Sequence, residues 1–257
     1  MSESSSEPTW REGHRHWLIG TIIALIGVLI AATSLYQDYR NNHRTDLKTL
    51  TTEETTTTKP FGGWGPERST FTMHNPPSYA ILNSITDNGK TGDERNFTRV
   101  RNMNRDEKYE DVTRAEVNDL VSIYVEVHND CANELAGPAS TIHGLYMRYV
   151  PQTTGTDIVF QVFLGGENIM TVYNGATVVV NEDAHLELIP GSAKMLTNST
   201  TDAGFPLDTL AIARGDNVLL GETKPDGEYP TGRIPGTEDK DYGAGYVEFQ
   251  ARVVKGA

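Results

Sequence analysis

Two hydrophobic patterns divide the chain. Residues 17–36, WLIGTIIALIGVLIAATSLY, are apolar almost throughout and hold no charged side chain. At about 1.5 Å rise per residue, this stretch matches the roughly 30 Å hydrocarbon core of a bilayer. Trp17, Tyr36 and Tyr39 stand at its ends, where amphipathic rings favour the head-group level. The pattern predicts one transmembrane helix over 17–36 behind a polar tail, 1–16. A cleaved signal peptide, with Arg11 and Arg15 as its basic region, is the rival reading. The run exceeds the roughly 7–15 residues of a signal core, so an uncleaved signal anchor fits better. Gly20, Ala24, Gly27 and Ala31 recur at steps of four, three and four, which puts small residues on one helix face. Such a face lets a second helix approach closely and points to a homo-oligomer formed within the lipid.

Residues 37–70 change register. TTEETTTTKP (51–60) is a low-complexity tract that cannot bury a core, and FGGWGPERS breaks any regular element. This is a juxtamembrane segment and Thr-rich linker. From 71 to 257 the period becomes two. LVSIYVEVHN (120–129) places Val121, Ile123, Val125 and Val127 on one face, as a half-buried strand requires. NFTRVR, STIHGLYMRYVP, TDIVFQVFLG, MTVYNGATVVVN, AHLELIPG, AKMLTN, DTLAIA and GYVEFQARVV read as further strands. In VYNGATVVV, Asn174-Gly175 is a tight-hairpin signal. RDEKYEDVTRAEVNDL supplies either one short helix or an irregular link. The expected fold is all-β: an antiparallel sandwich or barrel.

Charge places this domain. The net charge is −13. Within residues 1–50, Arg11, Arg15, Arg40, Arg44 and Lys48 cancel Glu3, Glu7, Glu12, Asp38 and Asp46, so the excess lies beyond. An acidic domain repels phosphate backbones, which excludes nucleic acid as a partner. Arg40, Arg44 and Lys48 after the span lean towards a cytoplasmic C-terminal side by the positive-inside rule. An acidic β-domain on a threonine-rich stalk instead suits export, and the expected location is a single-pass cell-membrane protein with this domain outside. A cytoplasm-facing sensor domain is the alternative. The single cysteine, Cys131, excludes an internal disulfide framework.

The remaining candidates for chemistry are few. Asp87, Asp93 and Glu94, in SITDNGKTGDERNF (84–97), offer hard oxygen ligands suited to calcium, though not at EF-hand spacing. GTEDKDYG (236–243) is a second acidic cluster able to converge on the first. The same carboxylates disfavour a phosphate cradle. The bland expectation is that Thr86–Gly92 form a turn in which Asp and Asn side chains accept backbone N–H bonds. Cys131 with His128 or His143 is an imaginable thiol nucleophile, but the plainer reading is a small residue in the loop after a strand. No G-x-S-x-G motif occurs. Paired carboxylates for glycoside hydrolysis need a separation that sequence does not show. A tethered hydrolase with a carboxylate site is thus the alternative to a structural, adhesive or interaction role with a protein or glycan partner.

The order of segments resembles the immunoglobulin-like domains of bacterial cell-surface proteins. The motifs are the strand ending in His128-Asn129, Tyr149-Val150-Pro151, Pro190-Gly191-Ser192-Ala193 and Gly245-Tyr246-Val247-Glu248-Phe249. Asn83–Asn88, Gly92–Phe97 and Val100-Arg101 are similar to one uncharacterised branch of them. That branch's cysteine before the final strand is absent from KDYGAGYV. The resemblance implies a fold and a surface location, and no reaction.

Overall fold

A computed structural model describes residues 63–105, 107–132, 137, 140–230 and 244–256. The expected membrane span at 17–36, its small-residue face, most of the linker and the acidic cluster at 236–243 lie outside them. No helix among the described residues is long and apolar enough to cross a membrane.

The described residues form an all-β fold. The strands are β1 (Trp64–Gly65), β2 (Thr98–Asn102), β3 (Val112–Arg114), β4 (Leu120–His128), β5 (Tyr146–Pro151) and β6 (Gly155–Gly165). They continue with β7 (Val172–Leu188), β8 (Lys194–Thr197), β9 (Phe205–Pro206), β10 (Val218–Leu219) and β11 (Ala244–Lys255), with one short helix, α1 (Thr209–Arg214). Hydrogen bonds connect the strands in the order β10-β5-β6-β7-β11-β4-β2. All pairings are antiparallel except β3 with β7.

Strand β7 carries the sheet from one half to the other. Its residues 172–179 pair with β6 on one edge, and with β1 and β3 on the other. Past the exposed Asn181, Glu182 and Asp183, residues 184–188 pair with β11. β11 in turn pairs with β4 over 244–252 and with β8 over 245–248. One apolar core joins the halves. Tyr149 on β5 packs 5.5 Å from Phe160 on β6 and edge-on, 5.7 Å, against Phe249 on β11. Val121, Ile123, Val125 and Val127 are fully buried, as their alternation predicts. Ser122, Tyr124, Glu126 and His128 alternate with them and turn to the opposite face of β4.

Four expectations differ from the structure. Asn174-Gly175 is no hairpin but lies inside β7. Asn174 is 1% exposed; its Oδ1 accepts the Thr98 N–H at 2.5 Å and its Nδ2 donates to the Gly63 carbonyl at 3.1 Å. The side chain thereby serves neighbouring strands instead of a turn. DTLAIA is not a strand but α1. Asp208 caps its start by accepting the Leu210 and Ala211 N–H groups at 2.9 and 3.1 Å, and Gly215 ends it at φ +76°. MTVYNGATVVVN and AHLELIPG are one strand, because the break in alternation between them marks a change of partner and not a turn. RDEKYEDVTRAEVNDL contributes β3.

Candidate functional site

The cluster with the richest chemistry sits where residues 82–97 fold back over the end of β4. The crossing is held by backbone bonds. Asn83 N–H donates to the His128 carbonyl at 3.1 Å, Asp130 N–H to the Ile81 carbonyl at 3.0 Å, and Glu126 N–H to the Phe97 carbonyl at 2.8 Å. Within the fold-back, Asn88 and Gly92 exchange two backbone bonds of 3.1 and 2.8 Å, and Gly92 takes φ +78°. Asn88 Oδ1 accepts the Lys90 N–H at 2.9 Å. This is the glycine-bearing turn that the sequence predicts, and it delivers Glu94 inwards.

Glu94 is 1% exposed. Its Oε1 accepts from Asn88 Nδ2 at 2.5 Å and from His128 Nδ1 at 2.9 Å. Asp130 is 7% exposed, and its Oδ2 accepts the N–H groups of Ser84, in a short bond, and of Ile85 at 3.2 Å. The Glu94 and Asp130 carboxyl groups also lie within hydrogen-bonding reach of each other. One ligand atom from each of Glu94, His128 and Asp130 falls within 4.8 Å of the others.

Two carboxyls and an imidazole so placed set one another's charge. Burial pushes the His128 pKa down, but the hydrogen bond to Glu94 and the charges of Glu94, Asp130 and Glu126 outweigh it, and it rises to about 9. Burial also opposes the Glu94 carboxylate, yet the hydrogen bond and charge of His128 hold its pKa below the ordinary value. Asp130 is pushed well up, by burial first and then by the negative charge of Glu94. These shifts favour an imidazolium–carboxylate pair at His128 and Glu94 and favour the protonated form of Asp130 beside it.

Two arginines lie near it. Arg68 donates to the Asn83 carbonyl at 2.7 Å and to Ser84 Oγ at 3.3 Å. Burial and the charge of Arg95 bring the Arg68 pKa down to about 10. Arg95 stacks on Trp64, 3.9 Å from the ring centre.

Of the three carboxylates expected to gather, Glu94 alone joins this cluster. Asp87 Oδ1 accepts the Met73 N–H at 2.7 Å. Asp93 is gripped by Arg95, whose Nε and Nη2 donate to it at 2.9 and 2.6 Å. Cys131 is buried, and burial raises its thiol pKa. His143 Nδ1 pairs with Glu228 Oε2 at 2.9 Å, so both imidazoles considered for the thiol face carboxylates. The role of Asp130, and its meeting with Glu94 and His128, escaped the sequence reading. The available signal was parity: His128 shares the outer face of β4 with Glu126, so a charged edge was due where that strand ends.

No protein-family model matches the chain, and neither a curated protein nor a solved structure matches it. Its chemistry therefore has to be read from its own geometry. An open cleft of about 370 Å³ runs beside β3, lined by Glu107, Lys108, Glu110, Val112, Thr113 and Arg114. Thr113 Oγ1 there donates to Glu107 Oε2 at 2.7 Å. Its lining carries both charges, whereas Glu94, His128 and Asp130 bring their ligand atoms together.

Proposed function

We propose that the chain is a single-pass membrane protein whose β-domain, an immunoglobulin-like sandwich, stands outside the cell in a structural, adhesive or interaction role. The observation that carries this reading is the uncharged apolar stretch of residues 17–36, followed by a Thr-rich linker and an all-β unit. The geometry favours interaction over turnover. The polar groups with the most chemistry are bound to one another: Glu94 to His128 and Asn88, Asp130 to the backbone of Ser84 and Ile85. They fasten residues 82–97 to β4.

The test is topology. Cys131 is 3% exposed and reports poorly to a thiol reagent. A cysteine replacing the exposed Asp202, in the loop between β8 and β9, provides the probe. Intact cells carrying Asp202→Cys should label with a membrane-impermeant maleimide, and the chain should sediment with membranes after a carbonate wash. Labelling that appears only after permeabilisation would place the domain in the cytoplasm. Recovery in the wash would remove the anchor.

A further inference from the structure

We propose that Glu94, His128 and Asp130 form a binding site for one divalent transition-metal ion of the zinc class. Glu94 carries the case. Its Oε1 is satisfied by His128 and Asn88, whereas Oε2 is buried and, with Asp130 ionised, receives no hydrogen bond. A carboxylate oxygen that is enclosed, unpaired and beside a second carboxyl group calls for a cation between the two.

The donor set selects the ion. One imidazole nitrogen with two carboxylates suits zinc or manganese, whereas calcium takes six to eight oxygen ligands and magnesium keeps most of its waters. Two ligands at 2.1 Å from a tetrahedral ion stand about 3.4 Å apart. His128 Nδ1 and Glu94 Oε1 are 2.9 Å apart, so an ion on that nitrogen replaces their hydrogen bond whether Glu94 binds it through Oε2 or through Oε1, and in the second case the contact widens by about 0.5 Å. Asp130 is already oriented through its other bonds, since Oδ2 accepts from the Ser84 and Ile85 N–H groups. Those backbone donors do for the carboxylate what outer-shell partners do in metal sites generally. The His128 side chain keeps 16% of its surface exposed, so the cluster lies close to the surface. The ion would join residues 82–97 to β4 more firmly than the bonds now seen. The competing occupant is a proton shared by the two carboxyl groups.

The experiment is calorimetric titration of the untagged full-length chain in detergent with zinc, manganese and calcium salts, on wild type and variants. Wild type should bind one zinc ion that Glu94→Gln and His128→Gln each weaken at least tenfold. Asp87→Asn and His143→Gln should leave that ion in place, because neither residue belongs to the cluster. As a check independent of variant folding, wild type loaded with cobalt should show visible d–d absorption that zinc displaces. Zinc binding unchanged in both cluster variants, a preference for calcium, or no uptake by wild type would each overturn the proposal. The last result would assign the space to the shared proton.

Discussion

Tyr149→Phe should make this protein more stable, against the usual direction of a core substitution. Tyr149 is 2% exposed, and its hydroxyl is buried with no hydrogen-bond partner. Burial alone raises its pKa. An unsatisfied buried hydroxyl costs about 1–3 kcal/mol. Removing it leaves a gap of about 10 Å³, which costs about 0.2 kcal/mol at 24 cal/mol per Å³. The ring stays, and so do its contacts with Phe160 and Phe249. The expected net gain is about 1–3 kcal/mol, or about 2–11 °C in Tm for a domain of this size. Tyr229→Phe is the matched control. Tyr229 is fully buried as well, but its hydroxyl donates to the Val127 carbonyl at 3.0 Å. The same atom removed there should cost about 1–2 kcal/mol. Urea unfolding of the full chain in detergent, followed by tryptophan fluorescence and far-ultraviolet dichroism, gives both values. A loss of stability in Tyr149→Phe would refute the reasoning, because it would mean the hydroxyl is hydrogen-bonded, for example to an enclosed water.

Other substitutions probe the features that sequence alone misread or left open. Asn174→Ala removes the acceptor of the Thr98 N–H and a donor to Gly63, and should cost about 2–4 kcal/mol in the same urea assay. Gly204→Ala places a Cβ 2.4 Å from the Met195 carbonyl oxygen at φ +67°, whereas Gly191→Ala at φ +75° meets open space. The first should lower stability by more than 2 kcal/mol and the second by about 1 kcal/mol, so equal losses would discount the steric clash. Asp208→Ala strips the N-cap of α1 and should cost about 1 kcal/mol. Gly20→Leu should weaken any self-association of the membrane span, read by crosslinking in detergent, if the small-residue face is the contact.

What was legible in the sequence depended on whether neighbouring residues shared a physical reason. β4 was plain because burial of Val121, Ile123, Val125 and Val127 imposes a period that ten residues display. The turn at Thr86–Gly92 was plain because Asn88 and Gly92 meet local backbone demands. Asn174-Gly175 misled because Asn174 serves Thr98, 76 residues away, and the local signature of a turn carries no trace of that bond. DTLAIA is too short for its period to separate helix from strand. Asp208 and Gly215 as caps were the better guide. The cluster was hidden for the same reason as Asn174. Glu94 and His128 stand 34 positions apart, and only the return of residues 82–97 across β4 brings them within 2.9 Å.

The place of β11 bears on biosynthesis. It pairs with β4, β7 and β8, yet Ala244 follows His128, its partner on β4, by 116 residues. At about 5–20 residues per second, a ribosome leaves β4 without that neighbour for roughly 6–23 s. Through that interval a valine-rich edge is open to other chains. The β4–β11 pairing closes only after β11 emerges, so one edge of β4 stays unpaired while translation continues.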